Sequence, residues 1–538
     1  MGIGSDGRQD SGRQGTAPSG RTALMAAAAL AAVLAAGCGG GGGSAGTTFP
    51  AGAARSPDFE APAAEPGDTI EASSLWQDRC VAPRSGADPY TGRPFADQSG
   101  TVGEEKSWVR AWLDETYLWY DEIPASVRSI LYATPQIFFE ALRTPEVTRS
   151  GKPKDRFHFT YDTATWRALS QTGVEAGYGF EASILQAQPP RDVRVAYTEP
   201  GTPAAAAGIV RGWRVMEIDG VNVVDTLSVD ALNAGLFPSG TGQTHRFKLQ
   251  ALDGSLRDVA LVSAAITHSP VQNVRTIDTP TGKVGYLLFN DHLAMAEAPL
   301  IAAMEQLKGE GAQDLVIDIR YNGGGLLAIA SQLAYMVTGS SVPAGATFER
   351  LQFNRKNPFG LSEAETSTPF YGRSMGFSEP SGRALPQLGL SRVTVLTGPG
   401  TCSASESIIN GLRGVDVQVT VVGDTTCGKP YGYLPTDNCG TTYFAVQFSG
   451  VNQKGAGDYA DGIAPTCTVP DDFSRALGDP AERRLAAALS YRTTGACPAT
   501  VMAVEKSALV AGPGDPLLSG KALPRTVRLL DAGALQLR

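Results

Sequence analysis

Three predicted loops in the second half of the sequence hold residue types that could do chemistry together. Residues 318–325 end in three consecutive glycines, residues 398–406 contain Ser403, and residues 423–430 contain Lys429. Glycines let backbone amides come close to a substrate, which is what an oxyanion hole requires. A serine at a helix entrance is more often only a cap. A lysine in a glycine-bordered turn after an apolar strand is harder to explain as an ordinary solvent-exposed residue.

Ser403 and Lys429 could act in catalysis only together, as a nucleophile and its base. A hydroxyl is a weak nucleophile until a base takes its proton, and lysine is a base only when it is neutral. A free lysine is charged at neutral pH, so burial or a neighbouring positive charge must lower its pKa. We therefore expect Lys429 to be desolvated and close to Ser403.

The elements around these loops predict an α/β layered domain. From residue 270 to 497, apolar strand-like runs such as 284–289, 315–319, 393–397 and 417–422 alternate with helix-like stretches. That alternation is typical of layered α/β domains, in which loops at strand ends commonly carry the function. Residues 106–123 and 135–142 predict helices in the first part of the chain, with the aromatic residues of the former serving as core.

The three loops resemble those of the carboxyl-terminal processing (tail-specific) protease family of serine peptidases with a PDZ domain, over roughly residues 105–470. The resemblance implies a multidomain α/β chain with a Clp-protease/crotonase-type catalytic domain, a PDZ-like β domain and a small amino-terminal helical domain. By the match Ser403 is the nucleophile and Lys429 the general base of a Ser-Lys dyad in a serine-type endopeptidase. The remaining matches are the oxyanion donors Ala404 and Gly324 or Gly325, and the supporting residues Glu406 and Thr426.

Two positions depart from the family pattern. An acidic residue common about eleven positions after the nucleophile is Gly414 here, with Asp416 two residues further on. A glutamine common four residues after the lysine is replaced by Tyr433. The residue that orients Lys429 is therefore open, with Tyr433 and Asp416 as candidates.

Residues 171–266 resemble a PDZ domain. The segment Gly177, Tyr178, Gly179 and Phe180 is followed by strand-like runs, an alanine-rich helix and an Ile-Asp-Gly hairpin. Such a loop can point N–H groups at a peptide carboxylate, and the next strand can accept the peptide by strand addition. We expect it to bind polypeptide substrates by their free carboxyl termini. The alternative is a small β domain that only packs.

The amino terminus predicts export. Arginines precede an uncharged run of about 15 residues, too short to span a bilayer as a helix, and small residues precede Cys38. This resembles a lipoprotein signal peptide, which would lipidate Cys38 on the periplasmic side of a bacterial envelope; the alternative is a plain secretory signal and a free periplasmic protein. The predicted organisation has six parts: signal peptide 1–38, flexible linker 39–74, helical domain 75–170, PDZ-like domain 171–266, catalytic domain 267–500 and carboxyl-terminal tail 501–538.

Charge and cysteine content narrow the function further. The 538 residues carry a formal charge of −9, which argues against nucleic acid as a partner. Without Cys38, six cysteines remain for disulfides in an oxidising space, and their spacing does not predict a metal site. We expect no metal and no cofactor. Cys439 with Cys467 is one predicted bridge, and Cys402 with Cys427 is either a bridge that couples catalysis to redox state or a buried thiol pair.

Parts of the sequence also suggest three other functions. Residues 423–429 spell GxxxxGK, but Pro430 stands where a phosphate-binding loop needs Ser or Thr. A histidine-based hydrolase is disfavoured because Ser403 lacks the GxSxG elbow, which leaves structural roles for His268 and His292. The serious alternative is a non-catalytic PDZ-bearing binding or scaffolding lipoprotein on the same fold.

Overall fold

The computed structural model describes residues 70–339, 342–343 and 345–498, all within a compact unit that spans Ala63–Arg538. The predicted signal peptide, Cys38, most of the linker and the tail 501–538 lie outside the described residues. None of the helices in the described part of the chain is long and apolar enough to cross a bilayer.

The amino-terminal segment is mainly helical. Its strands and helices are β1 (Arg79–Cys80), β2 (Gln98–Ser99), α1 (Val102–Thr116), α2 (Pro135–Ala141), β3 (Phe159–Asp162) and α3 (Thr163–Arg167), with 3-10 turns at Ser73–Leu75, Tyr120–Glu122 and Ser129–Leu131 and a π turn at Ala168–Thr172.

Capping explains where α1 begins, and a tertiary contact explains where it ends. The Thr101 side chain accepts the N–H of Glu104, and the Glu104 carboxylate accepts the N–H of Thr101, which forms a capping box. The chain becomes extended at Tyr117, and the N–H of Leu118 donates to the Val446 carbonyl at 2.8 Å. The helix is therefore shifted toward the amino terminus relative to the predicted 106–123.

The segment that follows the amino-terminal segment, residues 174–267, is an antiparallel β domain with two short helices. Its elements are β4 (Val174–Gly177), β5 (Phe180–Gln186), β6 (Asp192–Thr198), α4 (Pro203–Ala206), β7 (Arg214–Ile218), β8 (Val221–Asn222), α5 (Val229–Leu236), β9 (Thr244–Gln250), β10 (Leu256–Val262) and β11 (Ala264–Thr267). The main sheet has the order β10-β9-β7-β6-β5, so β5 stands at its edge. The strands β4 and β11, which flank this domain in the sequence, pair with each other.

The last segment is a layered α/β domain, as the apolar pattern predicts. Its elements are β12 (Val271–Thr279), β13 (Gly282–Phe289), a 3-10 turn (Ala294–Ala296), α6 (Glu297–Gly309), β14 (Asp314–Asp318), α7 (Leu327–Thr338), β15 (Thr347–Phe353), β16 (Ser367–Pro369), β17 (Arg392–Thr397), α8 (Ala404–Gly414), β18 (Gln418–Gly423), β19 (Tyr431–Gly432), β20 (Thr436–Asn438), β21 (Thr441–Phe444), β22 (Phe448–Val451), β23 (Cys467–Thr468) and α9 (Arg483–Thr494).

The central sheet of this domain brings the three predicted loops to one edge. Its order is β12-β13-β14-β17-β18-β23, and the pairs from β13 to β23 are all parallel. The glycine loop follows β14, the Ser403 loop follows β17 and the Lys429 loop follows β18. Because carboxyl ends of parallel strands meet at the same edge, the fold places the loops together.

The amino-terminal segment shares its core with the late part of the chain. Trp108 stacks on Trp112 with ring centroids 5.3 Å apart and also contacts Tyr443, at 5.1 Å. The strand β3 pairs with β21, which adds the segment to a three-stranded sheet. A disulfide between Cys80 and Cys439 fastens the same two parts of the chain.

The six cysteines in the described residues form three disulfides. They are Cys80–Cys439, Cys402–Cys427 and Cys467–Cys497. The predicted pair Cys439–Cys467 is wrong, because Cys80 approaches Cys439 across 359 residues of sequence and Cys497, beyond α9, reaches Cys467. Of the two alternatives for Cys402 and Cys427, the structure has the bridge.

Candidate active site

Ser403 sits in a strained turn between β17 and α8. It is fully buried, at the amino-terminal cap of α8, with φ 58° and ψ −120°. Positive φ is uncommon for a residue with a Cβ and persists only where the surroundings enforce it. Among the described residues, no group hydrogen-bonds to the Ser403 hydroxyl. The Glu406 side chain, three residues later, accepts the Ser403 N–H, as in a capping box.

Lys429 is fully buried among aromatic rings. Its Nζ lies 4.0 Å from the centroid of the Tyr433 ring and 5.2 Å from that of Phe157. Ring faces attract a cation weakly, whereas removal from water disfavours the ammonium form more strongly. The position thus favours a neutral amine more than a surface position would.

Glu406 joins the Ser403 loop to the Lys429 loop. Its Oε2 accepts the backbone N–H of Ser403 at 2.9 Å and that of Lys429 at 2.8 Å. Its Oε1 accepts the Gly428 N–H at 2.9 Å and the Thr426 hydroxyl at 2.5 Å. Burial raises the pKa of Glu406 above its ordinary value, although these four hydrogen bonds oppose the rise. One carboxylate thus fixes the backbone beside both predicted catalytic residues.

The glycine loop is packed against Ser403. Gly324 has φ 99°, and a Cβ built on it would lie 2.8 Å from the Ser403 Cβ and 2.9 Å from the Ala404 nitrogen. Only glycine fits so close an approach. The N–H of Gly324 donates to Asn322 Oδ1 at 2.9 Å, and the Ala404 N–H opens α8, where it has no acceptor within the helix.

His292 and Asn322 hold this glycine loop and were not singled out as site residues by the sequence. His292 Nδ1 contacts Asn322 Oδ1 at 2.9 Å, and the carbonyl of His292 accepts the N–H of Leu326. Gly325 faces the same histidine, since a Cβ on it would lie 2.7 Å from the His292 carbonyl oxygen. Burial lowers the pKa of His292 to about 3, so its imidazole is neutral at physiological pH.

The two candidates for orienting Lys429 lie in very different places. Tyr433 is buried with its ring against Lys429, and its hydroxyl donates to the Phe157 carbonyl. Burial raises the pKa of Tyr433 well above its ordinary value, so the hydroxyl keeps its proton. Asp416 has a side chain that is 84% exposed and forms an ion pair with Lys454. The structure does not bring Asp416 to Lys429.

Arg156 is a second residue that the sequence did not single out. Its Nη2 donates to the carbonyls of Cys427, Gly428 and Ala460 at 2.7, 3.1 and 3.1 Å. Its guanidinium lies over the Phe157 ring, with Cζ 4.6 Å from the centroid. Arg156 lies about 270 positions before Lys429, so the sequence around it does not indicate this contact. The contact arises from the packing of the amino-terminal segment.

The predicted peptide-binding loop lies between β4 and the edge strand β5. Gly177 ends β4 and pairs with Ala264, and Phe180 begins β5. Tyr178 is buried, and its hydroxyl donates to the Gly235 carbonyl at 2.9 Å, which ties the loop to α5. Gly179 has φ 84° and makes the turn between the two strands.

Within the described residues, two groups of side chains have donor atoms close enough for a metal. They are Cys80 with Glu105 and Cys439, and Cys402 with Glu406 and Cys427. In both groups the two sulfur atoms are joined in a disulfide. Cysteine binds a metal as a thiolate, which a disulfide sulfur is not, so each group keeps only its glutamate as a ligand in this state.

Comparisons with known proteins agree with this architecture. Residues 283–469 match peptidase family S41, and residues 104–161 match the peptidase S41 N-terminal domain. A carboxyl-terminal-processing protease of Picosynechococcus sp. is 29% identical over 345 residues, which cover 63% of this chain and 71% of that protein. One of Synechocystis sp. is 25% identical over 342 residues, or 61% and 71% of the two chains.

The fold is also found among solved structures. An S41-type protease structure from Bacteroides fragilis superposes with a TM-score of 0.56 at 22% identity, covering 72% of this chain and 97% of that one. This similarity shows a shared multidomain α/β fold. The chain is a peptidase that carries a peptidase family S41 domain and an S41 N-terminal domain, and its relatives include carboxyl-terminal-processing proteases.

Proposed function

We propose that this chain is a serine endopeptidase with a Ser403–Lys429 dyad. The observation that carries the proposal is the shared carboxylate oxygen of Glu406, which accepts the backbone N–H groups of both residues. That oxygen fixes the backbone of two fully buried residues, a serine with positive φ and a lysine, on adjacent loops. Burial supports the neutral amine that a lysine base needs.

The proposed reaction has two halves. Ser403 Oγ attacks the peptide carbonyl carbon while Lys429 Nζ takes the hydroxyl proton. The C–N bond then breaks, and Lys429 returns the proton to the leaving amine, which leaves an ester on Ser403. Water attacks this ester and gives a proton to Lys429. The C–O bond then breaks to release the product acid, and Lys429 returns the proton to Ser403 Oγ, which restores the hydroxyl and the neutral amine.

Backbone amides would stabilise the oxyanion formed in each half. Ala404 is one proposed donor, since its N–H is the first of α8. Gly324 or Gly325 supplies the other. Because the Gly324 N–H already donates to Asn322, Gly324 can serve only when that hydrogen bond is released or shared. Glu406 and Thr426 support the dyad, and Tyr433 orients Lys429 through its ring.

The PDZ-like domain is proposed to capture the free carboxyl terminus of the substrate. The strand β5 stands at the sheet edge, where an added peptide strand can pair with its backbone. The loop of Gly177, Tyr178, Gly179 and Phe180 lies at the start of this strand, where it could bind the terminal carboxylate.

The substrates are proposed to be exported proteins. Three disulfides within the described residues fit an oxidising compartment such as the periplasm. The predicted lipid anchor at Cys38 would hold the protease on the periplasmic face of the cell envelope, and cleavage nearby without lipidation would leave it free in the periplasm.

The proposal is tested by cleavage of an unstructured protein. We expect the wild type to cleave it and the Ser403→Ala and Lys429→Ala variants not to. A matched pair of peptides, one with a free carboxyl terminus and one amidated, tests recognition, and the amidated peptide should be cut more slowly. Equal cleavage by all three proteins contradicts the dyad, and binding without cleavage by any of them favours the non-catalytic alternative.

A further inference from the structure

The Cys402–Cys427 disulfide lies between the two proposed catalytic residues. Cys402 immediately precedes Ser403 in the sequence, and Cys427 lies two residues before Lys429. The Cα atoms of the two cysteines are 5.2 Å apart. The bridge therefore joins the loop after β17 to the loop after β18 at the point where each delivers its catalytic side chain.

Hydrogen bonds accompany this covalent link between the two loops. The Cys427 N–H donates to the Thr401 carbonyl at 2.9 Å, and Glu406 accepts from both loops. Ser403 must be kept at φ 58°, a conformation that an unconstrained chain would leave. A crosslink at the preceding residue opposes that relaxation.

We propose that the Cys402–Cys427 disulfide is a positioning crosslink of the active site, which holds Ser403 within reach of Lys429. The inference rests on the proposed dyad and extends it to two residues that touch neither substrate nor the transferred proton. Opening the bridge lets the loops move apart, so the chemical step slows while substrate binding is retained.

The bridge is open to reduction from one side. Cys402 is 1% exposed, whereas Cys427 is partly exposed. A dithiol reductant attacks Cys427 Sγ and releases the Cys402 thiolate, which takes up a proton. The second thiol of the reductant then displaces Cys427, so the reductant becomes a cyclic disulfide and the protein gains two thiols.

The chain supplies a matched control in its Cys467–Cys497 disulfide. The cysteines are separated by 25 residues in Cys402–Cys427 and by 30 in Cys467–Cys497, so loss of either should affect the unfolded chain similarly. Each bridge also has one buried and one partly exposed cysteine. The control bridge joins β23 to the segment after α9, and neither of its cysteines adjoins the dyad.

The decisive comparison is between the Cys402→Ala/Cys427→Ala and Cys467→Ala/Cys497→Ala variants of the full chain. We expect the first to lower kcat on an unstructured protein by about 10- to 100-fold, the range that a small misplacement of reacting groups produces. Its KM should stay within about twofold of the wild type, and the control variant should keep both values within about twofold. Equal losses in both variants, or no loss in the first, would overturn the proposal.

A second measurement does not depend on peptidase activity. Amide hydrogen exchange should be faster at positions 427, 428 and 429 in the first variant than in the wild type. In the control variant, exchange at these three positions should be unchanged. If the wild type cleaves nothing, the proposed function fails, and the exchange data alone decide whether the bridge positions these loops. Unchanged exchange in both variants would then overturn it.

Reduction provides the test if the first variant does not fold. A chain that keeps only Cys402–Cys427, with the other two bridges replaced by alanine, should lose kcat in dithiothreitol and regain it on reoxidation. The far-ultraviolet circular dichroism of this chain should be the same before and after reduction, which separates a movement of the loops from loss of the fold. A reduced chain with undiminished kcat contradicts the proposal.

Discussion

The Glu406→Gln substitution tests how strongly the dyad depends on one carboxylate. The change keeps the size of the side chain but converts one acceptor oxygen into an NH₂ donor. Oε2 accepts two backbone N–H groups, and Oε1 accepts one backbone N–H and the Thr426 hydroxyl. In either orientation of the amide, at least one buried backbone donor loses its acceptor.

The magnitude follows from the better of the two orientations. With the NH₂ group at the Oε1 position, the Gly428 N–H is left without an acceptor, which costs about 1–3 kcal/mol. The remaining bonds lose the assistance of the charge, which is roughly half of their strength. Removal of a buried charge offsets part of this loss. We expect the free energy of unfolding to fall by about 2 kcal/mol and kcat to fall about 10- to 100-fold.

The assay combines urea unfolding with turnover of an unstructured protein substrate. Glu363→Gln is the control, because Glu363 is an exposed partner of Arg350 and its replacement should change stability by no more than about 0.5 kcal/mol. If Glu406→Gln is as stable and as active as the wild type, the reasoning about the shared carboxylate is refuted.

The pH dependence of Glu406 separates activity from stability. Its pKa is raised in the folded state, so between the unfolded and folded pKa values the folded protein binds more protons at this site. Acidification through that window therefore increases the contribution of Glu406 to the free energy of unfolding. Activity should fall over the same window, because the protonated carboxyl loses an acceptor, and Glu406→Gln should lack that part of the acid limb.

Three further changes have defined outcomes. Gly324→Ala places a Cβ 2.8 Å from that of Ser403 and should lower kcat about 100-fold, whereas Gly309→Ala, with open space around it, should leave kcat unchanged; equal kcat values in the two variants would contradict the packing argument. Burial lowers the pKa of His292 to about 3, so its imidazole stays neutral in the folded state down to about that pH. Acidification from pH 6.5 toward 3 should therefore remove up to about 4 kcal/mol from the free energy of unfolding. Urea unfolding at pH 7 and pH 4 should show a weaker pH dependence in His292→Gln. Tyr433→Phe retains the ring against the lysine and should keep most of kcat, whereas Tyr433→Leu should lose it; equal rates would show that the ring is not used.

The sequence could predict the parts of the site that depend on local pattern. Apolar runs that alternate with helix-like stretches indicate parallel strands, and the loops after such strands share an edge. The positions of Ser403, Lys429 and Gly324 in one cluster follow from that rule. The antiparallel β domain with its edge strand follows from turn residues and short apolar runs in the same way.

The parts that depend on distant packing could not be predicted. Arg156 reaches the Lys429 loop only because β3 pairs with β21, and Cys80 finds Cys439 for the same reason. Asp416 has a carboxylate at a suggestive distance in sequence, but its φ of 64° follows the end of α8 and its side chain faces solvent. Residue spacing in the sequence indicates neither the long-range contacts of Arg156 and Cys80 nor the exposure of Asp416.

The most direct test of the central claim is the pH dependence with which a fluorophosphonate probe labels the nucleophile. In the wild type, we predict labelling at Ser403 with a rate that rises as Lys429 loses its proton. The Lys429→Met variant fills the same buried volume without a base, so its labelling should be far slower and should lack that ionisation. Equal labelling rates and the same pH profile in both proteins would contradict the account.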